Sequence, residues 1–180
     1  MLTITIPPRE GFDEKTQTFI DIKGTTLQLE HSLVSLSKWE SKWCKPFLKK
    51  DEHKTLEETI DYIRCMTITQ NVDPMVYNFM TNENIDKINK YIEAPMTATT
   101  FYEEKKTGRG ETVTAELIYY WMIALNIPME CQKWHLNRLL TLIRVCNIKN
   151  APPKQLGRQE LTSRYAALNA ARKKQYNTKG

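Results

Sequence analysis

The chain has 180 residues, enough for one domain or a domain with an arm. Its 41% hydrophobic and 26% charged residues suit a core-bearing soluble protein and argue against a disordered one. The longest apolar run, "LIYYWMIAL" from Leu117 to Leu125, is too short to cross a bilayer as a helix. The net charge of +5 is uneven: residues 154–180 carry seven Lys/Arg against one acid, net +6, whereas residues 1–153 carry 19 basic and 20 acidic residues, net −1. The basic character therefore belongs to the tail. Such a tail can meet nucleic acid or an acidic protein surface. Cys44, Cys65, Cys131 and Cys146 are widely spaced and read as reduced thiols of an intracellular protein. "MLTITIPPRE" has neither the basic leader nor the apolar run of a signal peptide.

In chain order, "LTITIP" and "TQTFIDIKG" alternate, and "TTLQLE" could add a third short strand, giving a small antiparallel sheet. In the second of these, Phe19 and Asp21 face one way, Ile20 and Ile22 the other. Leu33, Leu36, Trp39 (or Glu40 beside it) and Trp43 then step along one helical stripe that Pro46 stops. Thr55 and Glu58 form a capping box for a helix lined by Leu56, Ile60, Ile63 and Thr67. Asp73 caps a helix with Pro74 at its first position. Thr81 caps another, carrying Ile85, Ile88 and Ile92 and ending at Pro95. Thr97 to Phe101 could be a strand, and "EEKKTGRGE", 103–111, reads as an exposed mobile loop.

A second helical block opens near Thr112 to Thr114. Leu117 to Leu125 is apolar all round, so its helix is expected to be buried on every side or against a partner. Pro128 makes a turn, and Glu130 to Asn147 reads as one long helix with Trp134, Leu136, Leu139, Leu140, Ile143 and Cys146 on its apolar arc. The alanine-rich end is helical by propensity, with a weak stripe at Leu161, Tyr165 and Leu168, and marginal alone. No internal repeat is found. The expected fold is mainly α with a small N-terminal antiparallel β element (α+β), an orthogonal helix bundle. It divides into a β arm over 1–30, a helical domain over 31–150 and a basic helix and tail over 151–180.

Catalytic and metal chemistry find little support. On one continuous helix, Cys131 and His135 would lie a turn apart, but zinc needs about four converging ligands and no second close pair exists. The same two residues as a nucleophile pair would lack an orienting group and an oxyanion pocket. Glu57, Glu58 and Asp61 read as a solvated face plus a cap, and "GRG" at 108–110 lacks the spacing of either glycine-rich phosphate fingerprint. No catalytic residue, cofactor or metal is assigned, and the chain is not expected to be an enzyme. The aromatic load is more telling, since Trp and Tyr concentrate at protein interfaces. Trp39, Trp43, Tyr119, Tyr120 and Tyr165 are the candidate interaction residues. Arg164, Arg172, Lys173, Lys174 and Lys179 form the basic tail, where Tyr176 stands ready to stack on a nucleic-acid base.

"ECQKWHLNRLLTLIRVCNIKN", following "AELIYYWMIALNI", resembles the second half of small proteins encoded beside the tail genes of tailed bacteriophages, among them tail assembly chaperones. "ALNAARKKQYNTKG" and "LEHSLVSLSKWESKWCKPF" are similar to segments of the same group. The matching positions are Trp134, His135, Leu139 and Leu140, with Trp39 and Trp43 in the N-terminal helix. The resemblance implies a protein that is no ATPase, self-associates, binds the long tape measure protein in the host cytoplasm and is absent from the finished virion. The alternatives are a virion subunit, either a head–tail connector or a tail completion protein whose β arm extends a neighbour's sheet, and a nucleic-acid-binding packaging protein. None of these implies a membrane.

Overall fold

A computed structural model describes residues 1–13, 18–49, 53–101, 111–152 and 158–177. The chain divides into two compact units, Met1–Asn147 and Ile148–Gly180. The fold is mainly α-helical with a small N-terminal antiparallel β element that is not closed into a barrel.

The first unit opens with β1 (Leu2–Ile6), β2 (Arg9–Asp13), β3 (Thr18–Ile22) and β4 (Thr25–Leu29). β1 pairs with β4 in the register Leu2↔Leu29, Ile4↔Leu27, Ile6↔Thr25, and β2 pairs separately with β3. The period-two pattern of "LTITI" and "TTLQL" puts Ile4, Ile6, Leu27 and Leu29 on one buried face. β2, which carries no clear alternation in "REGFD", is the strand that the sequence pattern misses. Its Gly11 lies close against the Phe79 ring, which a Cβ would meet at 2.6 Å and have to displace. The facing of Phe19 to Ile22 lies outside the described side chains.

The β segment is not a detachable arm. Its four buried residues share a core cluster with Trp39, Tyr62, Ile63, Met66, Val76, Tyr77 and Ile88. The free edge of β4 is also occupied: Glu30 N–H donates to the Met66 carbonyl (2.9 Å), and Ile68 N–H to that of Gln28 (2.8 Å). That pairing occupies the C-terminal end of the β4 edge, from Gln28 to Glu30.

α1 (Leu33–Trp43) is capped by Ser32 and Ser35, each hydroxyl accepting the other's backbone N–H. It ends at Cys44, in the left-handed conformation at φ 52, two residues before the proline expected to stop it. α2 (Leu56–Met66) carries the expected box, with Thr55 N–H donating to Glu58 Oε2 (2.8 Å) and Glu58 N–H to Thr55 Oγ1 (3.2 Å). Its buried face is centred on Glu58, Tyr62 and Met66, whereas Leu56 is 77% exposed. Asp73 caps a 3-10 helix, Pro74–Phe79, and Thr81 caps α3 (Asn82–Glu93). Residues 97–101 form no strand, and the 103–111 loop, with "GRG", lies outside the described residues up to Glu111.

α4 (Ala115–Ala124) begins after the Thr114 cap. The single helix expected over 130–147 is instead a 3-10 turn, Met129–Lys133, an extended Trp134, and α5 (Leu136–Asn150). The break has a tertiary cause. His135 bridges Ser32 in antiparallel fashion, Leu136 N–H donates to the His31 carbonyl (2.7 Å), and Asn137 N–H donates to His135 Nδ1 (3.3 Å). α1, α4 and α5 enclose a second cluster, among them Leu33, Leu36, Ile118, Met122, Leu136 and Leu139.

The second unit, from Ile148, contains α6 (Arg158–Tyr176). Among the described residues, no helix is long and apolar enough to cross a membrane.

Candidate interaction surface

α4 has nine apolar residues in ten, so no amphipathic pattern tells which side faces inward. The fold decides it: Ala115, Ile118 and Met122 are buried, Leu117, Tyr119 and Trp121 are half-buried, and Tyr120 and Ile123 are 64% and 66% exposed. The helix is thus covered on one side only. Glu116, Tyr120 and Ile123 follow one another at i, i+4 and i+7 on the open side. Tyr119 is tied down beside them, its hydroxyl donating to Gln132 Oε1 (2.9 Å), and burial raises its pKa.

α4 is held in place by Glu40 of α1. This carboxylate is buried, with Oε2 accepting Ala115 N–H (2.7 Å) and Oε1 accepting Phe47 N–H (2.8 Å). Burial raises its pKa, and the two backbone donors work against that rise. In the sequence Glu40 was only a neighbour of the Trp39 stripe.

The other aromatic candidates separate. Trp39 is 1% exposed, and its indole donates to the Glu58 carbonyl (2.8 Å), so it belongs to the core and not to a contact surface. It lies edge-on to Phe47, with ring centroids 5.1 Å apart. Trp43 is half-buried and donates to Asp61 Oδ2 (2.9 Å). Tyr165 is 62% exposed on α6, and Arg172, Lys173 and Lys174 are exposed on the same helix. The Arg164 side chain and Lys179 lie outside the described positions. The structure therefore leaves Tyr120 and Tyr165 open and withdraws Trp39.

The acid cluster on α2 is not a solvated face. Glu58 and Asp61 are buried and paired, Glu58 with Lys45 (2.6 Å) and Asp61 with Lys42 (2.5 Å), while Glu57 is exposed. The Lys45 ammonium, together with Thr55, holds the Glu58 carboxyl below its usual range. An open hollow of about 290 Å³ lies beside this helix, lined by Lys42, Leu56, Glu57, Ile60, Asp61, Arg64 and Asn78. Of its charged groups, Lys42 is paired with Asp61 and Arg64 with the Pro74 carbonyl (3.3 Å), while Glu57 is exposed.

Cys131 and His135 are separated by the break before α5. Both ring nitrogens of His135 are engaged: Nε2 donates to the Tyr91 carbonyl (2.9 Å), and Nδ1 accepts Asn137 N–H (3.3 Å). His31 stands beside it, ring centroids 5.1 Å apart, with Nδ1 bonded to the Tyr62 hydroxyl (2.6 Å). Burial and the neighbouring His135 lower the His31 pKa to about 3; burial also lowers that of His135. Burial pushes the Tyr62 hydroxyl well above its ordinary value. This neutral pair is a structural joint closed to solvent. Among the described residues, no group of three or more His, Cys, Asp or Glu could hold a metal ion.

No protein-family model, curated protein or solved structure matches the chain.

Proposed function

We propose that this protein acts by binding helical partners, as a morphogenesis protein of tailed phages of the tail assembly chaperone type whose client is the tape measure protein. The observation that carries the reading is the open stripe on α4, where Tyr120 and Ile123 stand exposed on a helix with nine apolar residues in ten. An exposed aromatic and aliphatic pair on a rigid element suits the apolar stripe of a client helix. The phage setting comes from the sequence resemblance alone.

Co-expression with the tape measure protein of the source phage tests the reading. The client should stay soluble with the wild-type chain and precipitate with Tyr120→Glu/Ile123→Glu, a variant whose changes lie at exposed positions. Mass spectrometry should find the protein in lysates and not in purified virions. A stoichiometric virion band would assign it to the connector or tail-completion class. The exposed Arg172, Lys173 and Lys174 support the packaging alternative. A DNA mobility shift at micromolar protein with steep salt dependence would favour it.

A further inference from the structure

We propose that the open face of α4 is a docking surface for α6 of a second copy of this chain, so that two copies exchange their C-terminal helices. The inference rests on the same α4 face as the chaperone reading, so α6 of the second copy and a client helix would compete for it. Its own test needs no client and turns on the α6 substitutions, which leave the α4 face intact, so the two readings fail on different results.

Two incomplete surfaces of matching chemistry carry it. On α4, the stripe Glu116–Tyr120–Ile123 has an exposed apolar pair beside an acid. α4 itself carries one acid, Glu116, and no Lys or Arg; Glu111 and Glu130 flank it in sequence, followed by Lys133. On α6, Tyr165, Leu168, Arg172 and Tyr176 fall at i, i+3, i+7 and i+11, all exposed. That helix has five Lys/Arg and one acid over its 19 residues. Each helix thus shows a narrow apolar stripe, one in acidic and the other in basic surroundings. Stripe-on-stripe packing with opposite charges at the rim is the arrangement that excludes water from the apolar centre and pairs the margin.

α6 also needs such a contact. Helices in proteins draw most of their stability from packing an apolar face, and every described side chain of α6 is exposed. A second copy supplies that face at equal concentration. A reciprocal exchange makes the contact twice and closes the assembly as a twofold dimer.

The test is light scattering on the full chain over a range from about 5 to 200 µM, a span that brackets micromolar affinity. Wild type should reach twice the 21.1 kDa of one chain, and added salt should weaken the dimer. Tyr120→Glu/Ile123→Glu should shift the midpoint up by about tenfold or more, as expected for loss of a central anchor. Arg172→Glu/Lys173→Glu/Lys174→Glu should do the same. Mixing the two variants leaves one intact α4 face and one intact α6, so a heterodimer should reappear. Circular dichroism shows whether each variant keeps the fold. A monomer at every concentration overturns the proposal, as does a dimer that survives the α6 substitutions. The latter result would assign the α4 face to pairing with itself.

Discussion

Trp39 is held by more than hydrophobic burial. Its indole N–H meets the Glu58 carbonyl at 2.8 Å, and the ring lies edge-on to Phe47 and Tyr62. Trp39→Ala should therefore destabilise the protein by about 3–5 kcal/mol, the range for removing a buried aromatic. Trp121→Ala, at a half-buried site, should cost clearly less; urea melts of the two variants compare them, and equal losses would contradict the placement. Sequence periodicity put Trp39 on an apolar stripe and left Trp121 in a helix apolar all round, and neither pattern could say which helix face met the core. The buried histidines give a pH dependence of known sign. His31 has its pKa lowered to about 3 and that of His135 is also lowered, so below pH 6.5 the unfolded chain takes up protons that the folded chain refuses. Their contribution is complete above 6.5 and is lost as pH falls, by up to about 1.4 kcal/mol per pH unit for each histidine. Glu58, whose carboxyl is also depressed, loses its contribution only below about 4.5, and Glu40, whose pKa is raised, gains stability in acid. Between pH 7 and 5 the histidines lose stability while Glu40, whose carboxyl pKa is raised, works against that loss, so the test is the difference between wild type and His31→Gln in urea melts: the wild type should lose more stability across the window than the variant. Equal slopes in the two proteins would contradict the burial of the pair.

Element boundaries were legible wherever a local cap writes them. Thr55 with Glu58, Asp73 with Pro74, and Thr81 each begin a helical segment at the expected place. The alternation of β1 and β4 was equally plain. The break before α5 was not legible, because it comes from His31 and Ser32, a hundred residues away, pairing with His135 and Leu136. Nor did the sequence reveal that α4 is covered on one side only, since a helix apolar all round carries no periodic signal. Glu40 is the clearest long-range determinant. One carboxylate accepts both Ala115 N–H at the start of α4 and Phe47 N–H after α1. Glu40→Gln keeps the shape but turns one acceptor into an amide donor that faces one of those N–H groups. A buried donor left without a partner costs about 1–3 kcal/mol, so the variant should be destabilised by that amount in urea melts. A neutral substitution would show that the α1–α4 link rests on apolar packing alone.

At the scale of the molecule, the uneven charge of the sequence coincides with a division of the structure. Residues 1–147 form one compact unit containing both apolar clusters, and α6 belongs to the other. The β segment went the opposite way: expected as an arm, it is part of the first cluster, because Ile4, Ile6, Leu27 and Leu29 have no other cover for their shared face. The two chain ends therefore answer differently to deletion. Truncation after Pro153 keeps α5 whole and removes a helix whose Tyr165, Leu168 and Tyr176 are exposed. The melt of the remaining body should move by only a few degrees, since 1 kcal/mol shifts a domain of this size by that much. A loss above about 10 °C would mean that α6 supports the core. Deleting 1–30 instead removes four buried side chains from the first cluster and should abolish cooperative unfolding altogether. If α6 serves a second copy, the same truncation that spares the melt must also reduce the protein to a monomer. Stability and association are then separable in one molecule, with calorimetry reading the first and light scattering the second.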